Sequence, residues 1–170
     1  ISPEDGIWMA LNVERVPPGL GADASALTLT GDWRGYARGL GRHHVAAIRL
    51  GAASSTGDTG MTRTFSLGGS GLSAAPFAMG QRAVGLLRGL PQDQRFGTAV
   101  LVANLDYRVP LARVERGAGT WPVFLRDIHG AAFADAGSAG NAMDALPAAA
   151  FSLGGELGAR VTLGYSWNLT

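Results

Sequence analysis

The sequence lacks cysteine and lysine altogether, and only 16% of its 170 residues are charged. Without cysteine, the chain forms no disulfide bond, no thiolate zinc site and no cysteine nucleophile. The formal net charge of +1 predicts no clustered basic surface for nucleic acid. No apolar run approaches the roughly 18 residues that a membrane-spanning helix requires. These absences disfavour a nucleic-acid-binding domain and a helical membrane protein.

Catalytic signatures are also missing from the sequence. The segment around Ser70 approaches the G-x-S-x-G nucleophile elbow but has Leu72 at its last position. There is no phosphate-binding loop, dinucleotide fingerprint or zinc-binding H-E-x-x-H motif. The adjacent His43 and His44 are predicted to point to opposite faces of a strand, where they could not bind one ion together. We therefore expect no enzymatic activity, no catalytic residue, no metal and no cofactor.

What the sequence does contain is glycine, at 26 positions, and long stretches in which apolar and polar residues alternate. The longest covers residues 151–170, where one register holds polar residues such as Ser152, Glu156 and Arg160. The other register is apolar or small and contains Phe151, Leu153, Gly155, Leu157, Ala159, Val161, Leu163, Tyr165, Trp167 and Leu169. Side chains alternate across a strand, and alternation sustained this far is typical of a transmembrane β-strand. A turn is predicted within residues 164–167.

Further strands are predicted at residues 7–16, 26–38, 43–53, 64–67, 98–109 and 128–137. In the second of these, Asp32, Arg34 and Arg38 share one face, and burying unpaired charges in a dry core is costly. A water-filled lumen removes most of this cost, which favours a barrel over a β-sandwich. Pro110 is predicted to end the strand before it, because proline cannot donate to a ladder.

The segments between these strands are predicted to be connections. Residues 54–96 are rich in glycine, and a loop of such length in a compact domain is usually functional or disordered. Residues 113–127 are charged and are predicted to be irregular or partly helical. Residues 138–150 are predicted to form a second loop.

These features predict an all-β fold, specifically an antiparallel transmembrane β-barrel of the bacterial outer membrane, with residues 1–170 in one barrel domain. Membrane lipid is its expected partner. Candidate anchors at the membrane interface are Trp8, Trp33, Tyr36, Tyr165 and Trp167. Tyr36 shares a face with Arg34, which favours the lumen for this residue. The chain begins without an initiator Met or signal peptide, which predicts a fragment of a longer polypeptide.

Three patches of sequence occur in an order and spacing that resemble a known family. They are F-S-L-G-G at 65–69 with L-R-G-L at 87–90, N-L-D-Y-R-V-P-L at 104–111, and F-A-D-A-G at 133–137. They resemble the C-terminal barrel of the BamA-like superfamily, which comprises outer-membrane assembly factors and two-partner secretion transporters and is also called the bacterial surface antigen superfamily. In that family a long extracellular loop folds into the lumen, and an arginine at its tip meets an F-x-D-x-G motif on the barrel wall.

The resemblance implies that Arg88 is the loop-tip arginine and Gly89 its tight turn, and that Phe133 and Asp135 receive the arginine on the barrel wall. Phe133 and Asp135 also share one face by their spacing. An arginine fork can combine a charge-assisted bond to the carboxylate with a cation–π contact to the ring. The other matching positions are Gly137, which completes the wall motif, and the supporting residues Gly68, Gly69, Tyr107, Arg108 and Pro110.

By this resemblance the chain supplies the ninth to fourteenth strands of a sixteen-stranded barrel, without the N-terminal part of the protein and the last strands. The implied function is non-enzymatic: it is the insertion or translocation of client polypeptides, with periplasmic or lipoprotein partners and no nucleic acid. A second interpretation is a barrel that serves as a structural anchor for another module or a larger envelope complex. It is motivated by Leu90, where the family has an aromatic residue, and by the long interval from Gly69 to Arg88. In addition, Asp106 stands where the family has glutamate. A diffusion porin and a soluble β-sandwich are the weaker alternatives.

Overall fold

The computed structural model describes residues 5–19, 24–69, 84–117, 119, 121–164 and 167–169. The described strands are β1 (Gly6–Val16), β2 (Ala26–Arg38), β3 (Val45–Gly57), β4 (Phe65–Leu67), β5 (Arg95–Gly97), β6 (Ala99–Gly117), β7 (Val123–Gly140), β8 (Ala150–Leu163) and β9 (Trp167–Leu169). A short 3-10 helix covers Met143–Ala145. Within these ranges, no helix combines the length and the apolar character needed to span a membrane.

Seven of the strands form one antiparallel sheet, in the order β1-β2-β3-β6-β7-β8-β9. Each strand pairs with the next in the chain, except that β6 follows β3 because β4 and β5 form a separate two-stranded sheet. The prediction of an all-β, antiparallel fold is therefore confirmed. The turn predicted within residues 164–167 is also confirmed, since β8 ends at Leu163 and β9 returns alongside it.

The prediction that Pro110 ends its strand is wrong. β6 continues to Gly117 and pairs with β7 from Val123, so residues 113–127 are mostly a β-hairpin and not an irregular or helical connection. Pro110 lies beyond Arg108, the last described partner of β3, and a register shift follows directly after it. Proline is tolerated at a strand edge or a bulge, because no ladder hydrogen bond is lost there.

The prediction that His43 and His44 lie on a strand is also wrong, because β3 begins only at Val45. His43 adopts a positive φ of 60° in the turn before the strand. The His44 ring packs edge-on against Tyr107, with Nδ1 at 3.0 Å from the phenol oxygen. The same oxygen accepts a hydrogen bond from the backbone N–H of Leu40 at 3.0 Å. These contacts tie the β2–β3 turn to β6.

The strand register gives the seven-stranded sheet two different faces. We call the face that carries the β3–β6 connection the inner face, and the opposite one the outer face. The outer face is apolar and open, with exposed Ile7, Met9, Leu11, Val13, Leu27, Leu29, Ile48, Leu50, Leu101, Leu105, Phe151, Leu153 and Leu157. The inner face places polar residues in cross-strand rows, one of which contains Arg34, Arg49, Asn104, Asp135 and Ser152. The alternation in the sequence therefore corresponds to these two faces.

The aromatic residues divide between the faces. Trp33 lies on the outer face and Tyr36 on the inner face, as their alternation predicts. Trp8, in contrast, pairs in register with Arg34, whose guanidinium carbon lies 4.8 Å from the centroid of the indole ring. Trp8 is therefore an inner-face residue and not an anchor on the outer surface. Tyr165 and the side chain of Trp167 lie outside the described residues.

The buried apolar cluster of the described chain lies between the connection and the inner face. Four of its residues, Phe65, Leu67, Val84 and Leu87, come from the connection, and they pack on Ala53, Val100, Val102 and Ala139 of the sheet. Leu67 and Leu87 are completely buried. Because this apolar contact lies immediately beside the polar rows, it fixes the connection next to the charged part of the inner face.

Candidate functional site

Arg88 lies where the connection crosses the inner face, and glycines shape the backbone around it. Gly69 forms an isolated bridge with Leu87, and its N–H donates to the Leu90 carbonyl at 3.1 Å. Gly68 and Gly89 have φ values of 126° and 82°, which L-residues with a side chain rarely adopt. A Cβ at Gly68 would lie only 2.2 Å from the Pro91 carbonyl oxygen. The glycines named by the sequence thus allow the tight path that presents Arg88.

Arg88 and Asp135 form a bidentate ion pair, and Asp106 and Phe133 also contact Arg88. We call these four residues the arginine lock. Nε and Nη2 of Arg88 donate to the two carboxylate oxygens of Asp135 at 2.8 and 2.7 Å. The backbone N–H of Arg88 donates to the same carboxylate at 3.0 Å. The Asp135 side chain is fully buried. Parallel hydrogen bonds from one guanidinium are strong and directional. Asp135 therefore fixes the position of the connection in addition to neutralising the charge of Arg88.

Asp106 is the second carboxylate of the arginine lock. Its Oδ1 accepts from Nη1 of Arg88 at 2.6 Å, on the side of the guanidinium away from Asp135. Hydrogen bonds to Asp135 and then to Asp106 outweigh the effect of burial and raise the pKa of Arg88 above its ordinary value. Arg88 therefore stays charged at neutral pH and well above it. Asp106 was not predicted from the sequence as a partner of Arg88.

Phe133 forms the third side of the arginine lock. The guanidinium carbon of Arg88 lies 4.0 Å from the centroid of the Phe133 ring, within cation–π range. The far end of the ring lies against Gly154, its register partner on β8, where a Cβ would lie 2.5 Å from the ring atom Cζ. Phe133 therefore fits between Arg88 and the β8 backbone only because residue 154 is glycine. Sequence patterns within one strand do not reveal this requirement.

Two buried polar groups flank Asp135 in its row. Asn104 donates its side-chain N–H to the Leu86 carbonyl at 3.1 Å, while its Oδ1 has no partner in the described structure. On the other side, the buried Ser152 hydroxyl likewise has no partner there. Buried polar groups usually pair with protein or water. The surroundings of Asp135 are therefore polar, which favours a charged carboxylate, whereas its burial opposes the charge.

A second charged group lies on the inner face next to the arginine lock. Asp32 accepts hydrogen bonds from Arg34 at 2.9 Å and from Arg49 at 3.0 Å. From the sequence, Asp32 and Arg34 were predicted to lie on the same face of one strand, but Arg49 was not predicted to join them. Arg49 was missed because its link to Asp32 runs between β2 and β3 and depends on the register of the two strands.

The supporting residues of β6 are not part of the arginine lock. Tyr107 points to the outer face and holds the β2–β3 turn, whereas Pro110 lies beside the bulge. Arg108 is on the inner face and lines a cavity next to Arg88. Leu90 packs against the buried apolar cluster and makes no ring contact to the arginine lock.

Gly137, the last residue of the F-x-D-x-G motif, is the place where the connection rests on β7. A Cβ there would lie 2.9 Å from Cδ1 of both Leu67 and Leu87 and 3.2 Å from the Leu101 carbonyl oxygen. A side chain at this position would therefore push the apolar cluster off the sheet. The glycine allows the connection to approach the sheet closely, two residues from Asp135.

Gly137→Leu is expected to destabilise the docked connection by about 1–3 kcal/mol through overpacking. Ala136→Leu is the matched control, because it adds a leucine to the outer face of the same strand. Limited proteolysis within residues 58–98 and urea unfolding measure the effect. Equal behaviour of the two variants would contradict the close packing of Leu67 and Leu87 on Gly137.

The arrangement holds a segment of chain on a sheet by charge, ring and apolar contacts. Within the described ranges, no group of three or more His, Asp or Glu side chains could hold a metal ion. The sequence matches no protein-family model and no curated protein. The resemblance to BamA-like barrels therefore depends on the motif residues, three of which, Arg88, Phe133 and Asp135, the structure brings into direct contact.

Proposed function

We propose that this chain is part of an outer-membrane β-barrel that assists the insertion or translocation of other polypeptides without enzymatic chemistry. The observation that carries the proposal is the arginine lock, in which a buried carboxylate on the sheet binds an arginine from a long connection. A soluble sheet would not normally leave one face apolar and exposed while a long loop is docked on its polar face.

The exposed outer face supports the membrane part of the proposal. Its large apolar side chains are open on β1, β2, β3, β6 and β8, including Leu153 at 85% and Ile7 at 76% exposure. Isolated exposed apolar residues are ordinary, but a contiguous apolar face of this extent marks an interaction surface or a membrane surface. The polar inner face then corresponds to the lumen, where water solvates the charges that are not paired.

The lengths of the connections support one orientation in the membrane. At one end of the sheet, β2 and β3, β6 and β7, and β8 and β9 are joined over only six, five and three residues. At the other end, β1 and β2, β3 and β6, and β7 and β8 are joined over nine, 41 and nine residues. Outer-membrane barrels have short periplasmic turns and long extracellular loops. In our proposal the β3–β6 connection therefore enters the lumen from the extracellular side.

The proposed mechanism is a conformational one. With Arg88 bound to Asp135, the connection fills part of the lumen and braces β6, β7 and β8 against each other. Release of the arginine lets the connection move, which frees space for an extended client or allows the barrel wall to deform. The energy for this step comes from client binding, because only a partner that prefers the released state shifts the equilibrium.

A structural anchor is the second candidate function, and one observation favours it. The connection is held by the arginine lock and also by the buried apolar cluster, which includes Leu90. Such double attachment suits a permanent plug. The two candidates differ in whether the connection must move, and this difference can be measured.

A reversible disulfide tests which candidate is correct. A Cβ at Gly89 would lie 3.1 Å from Cβ of Ser152, close to the separation of about 3.5–4.5 Å that a disulfide spans. The Gly89→Cys/Ser152→Cys pair is introduced into full-length protein that has no other cysteine. If the connection must move, oxidation reduces insertion of a client barrel into proteoliposomes to background and reduction restores it. The single-cysteine variants serve as controls. Unchanged insertion by the oxidised protein would overturn the moving-loop function and leave the anchor.

A further inference from the structure

A cavity of about 300 Å³ lies on the inner face beside the arginine lock, over β2, β3 and β6. Four arginines line it: Arg34, Arg49, Arg88 and Arg108. Ala47 also lines the cavity, and in its row it stands between Tyr36 and Asp106. Because alanine is much smaller than its neighbours in the row, it leaves the space that the larger side chains enclose.

The acidic groups near the cavity are already paired. Asp106, on the cavity wall, accepts from Arg88 at 2.6 Å. Asp32 is shared by Arg34 and Arg49, so one carboxylate faces two guanidinium groups. The Asp32 group and the arginine lock together hold three arginines and three carboxylates, because Arg34 and Arg49 share Asp32 while Arg88 binds both Asp106 and Asp135. An anion entering the cavity would therefore meet excess positive charge only at a fourth arginine.

Arg108 is the cation that these acids do not neutralise. It is half-buried on the inner face of β6, and its register partners are Val45 on β3 and Ala131 on β7, neither of which can pair with a guanidinium side chain. Among the residues that the structure describes, Arg108 makes no ion pair. Arg108 lines the cavity together with Asp106, whose carboxylate is already bound to Arg88.

We propose that this cavity binds a carboxylate group through Arg108, from an acidic side chain of a polypeptide or from a small free carboxylic acid. The planar guanidinium matches a carboxylate with two parallel hydrogen bonds, and partial burial strengthens the attraction by lowering the local dielectric. The site takes one small group, since its volume suits a side chain and not a folded segment. The inference does not require the membrane function, because it depends only on the inner face.

Calorimetric titration of the full-length protein in detergent micelles at low salt tests the site. The probes are a capped Gly-Asp-Gly tripeptide, its uncharged Gly-Asn-Gly counterpart, and glutarate. The acidic peptide is expected to bind about tenfold more tightly than the asparagine peptide, the order of a charge-assisted hydrogen-bond pair. Arg108→Gln is expected to abolish this preference. Arg160→Gln, which removes an exposed arginine paired with Asp127 away from the cavity, is expected to retain it.

The outcomes show whether the cavity binds a carboxylate and, separately, whether that carboxylate comes from a polypeptide or from a small free acid. Tighter binding of the acidic peptide than of glutarate assigns the site to polypeptide side chains, and the reverse order assigns it to small free acids. Equal affinity for the two peptides overturns the proposal, as does a preference that survives in Arg108→Gln. Circular dichroism of each variant shows that the sheet is intact. Failure of client insertion in the disulfide test leaves this binding result unaffected.

Discussion

Asp135→Ala is expected to release the β3–β6 connection from the inner face. The substitution removes the acceptor of three hydrogen bonds and leaves Arg88, which is largely buried, with Asp106 as its remaining carboxylate. Breaking a buried ion pair by removing one partner typically costs about 3–5 kcal/mol. Arg88 retains 23% side-chain exposure and a second carboxylate, so we expect the lower end of about 3 kcal/mol for docking of the connection.

Hydrogen exchange of the backbone amides of residues 84–98 measures this release directly. Those amides are expected to exchange faster in Asp135→Ala, while the amides in the middle of β2 remain protected. Asp135→Asn keeps the shape of the side chain and removes its charge, so it separates packing from electrostatics. Unchanged protection of residues 84–98 in Asp135→Ala would show that the apolar cluster alone holds the connection.

A double-mutant cycle assigns the energy to the pair. Arg88→Ala leaves Asp135 buried without its main partner, and the double variant removes both charges. The double variant is expected to cost less than the sum of the two single variants, with a coupling of about 1–3 kcal/mol. Additive effects would mean that Arg88 and Asp135 act independently, which would contradict the bidentate geometry.

The fold could be predicted largely from local alternation. Strand faces follow from a period of two, so residues 7–16 and 26–38 and the run from Phe151 identify their own apolar sides. The hairpin after Pro110 could not be predicted this way. In a sequence, proline predicts the end of a strand. Pro110 can lie within β6 because β3 no longer pairs there and because a register shift follows, so no ladder hydrogen bond is lost.

The site was predictable only in part, for a related reason. Arg88, Phe133 and Asp135 carry a recognisable pattern along the chain, and the structure places them in contact. Pairing between strands brings Asp106 into the arginine lock and places Gly154 where it leaves room for the Phe133 ring, since both are partners of Phe133, on β6 and β8. The register of two strands is not encoded in either one alone, and so these residues became apparent only in the folded sheet.

Leu157→Arg is expected to destabilise the protein by about 2–4 kcal/mol in phospholipid vesicles. Leu157 lies near the middle of β8 on the outer face and is 74% exposed. In the proposed barrel it contacts the hydrocarbon core, where an arginine is costly. The same exposed position on a water-soluble sheet would change the stability by no more than about 0.5 kcal/mol.

Glu156→Arg is the matched control, because it places the same charge on the adjacent residue, which faces inward on the polar side of β8. Urea unfolding of both full-length variants in vesicles is expected to show a loss for Leu157→Arg and little change for Glu156→Arg. Since the two positions are neighbours on one strand, strand propensity and local fraying contribute almost equally to both. The difference between the unfolding free energies of the two variants therefore reports whether each face contacts lipid or water. Equal stability of the two variants would place water or protein, and not lipid, on the outer face, and would contradict a transmembrane barrel while leaving the arginine lock on the inner face intact.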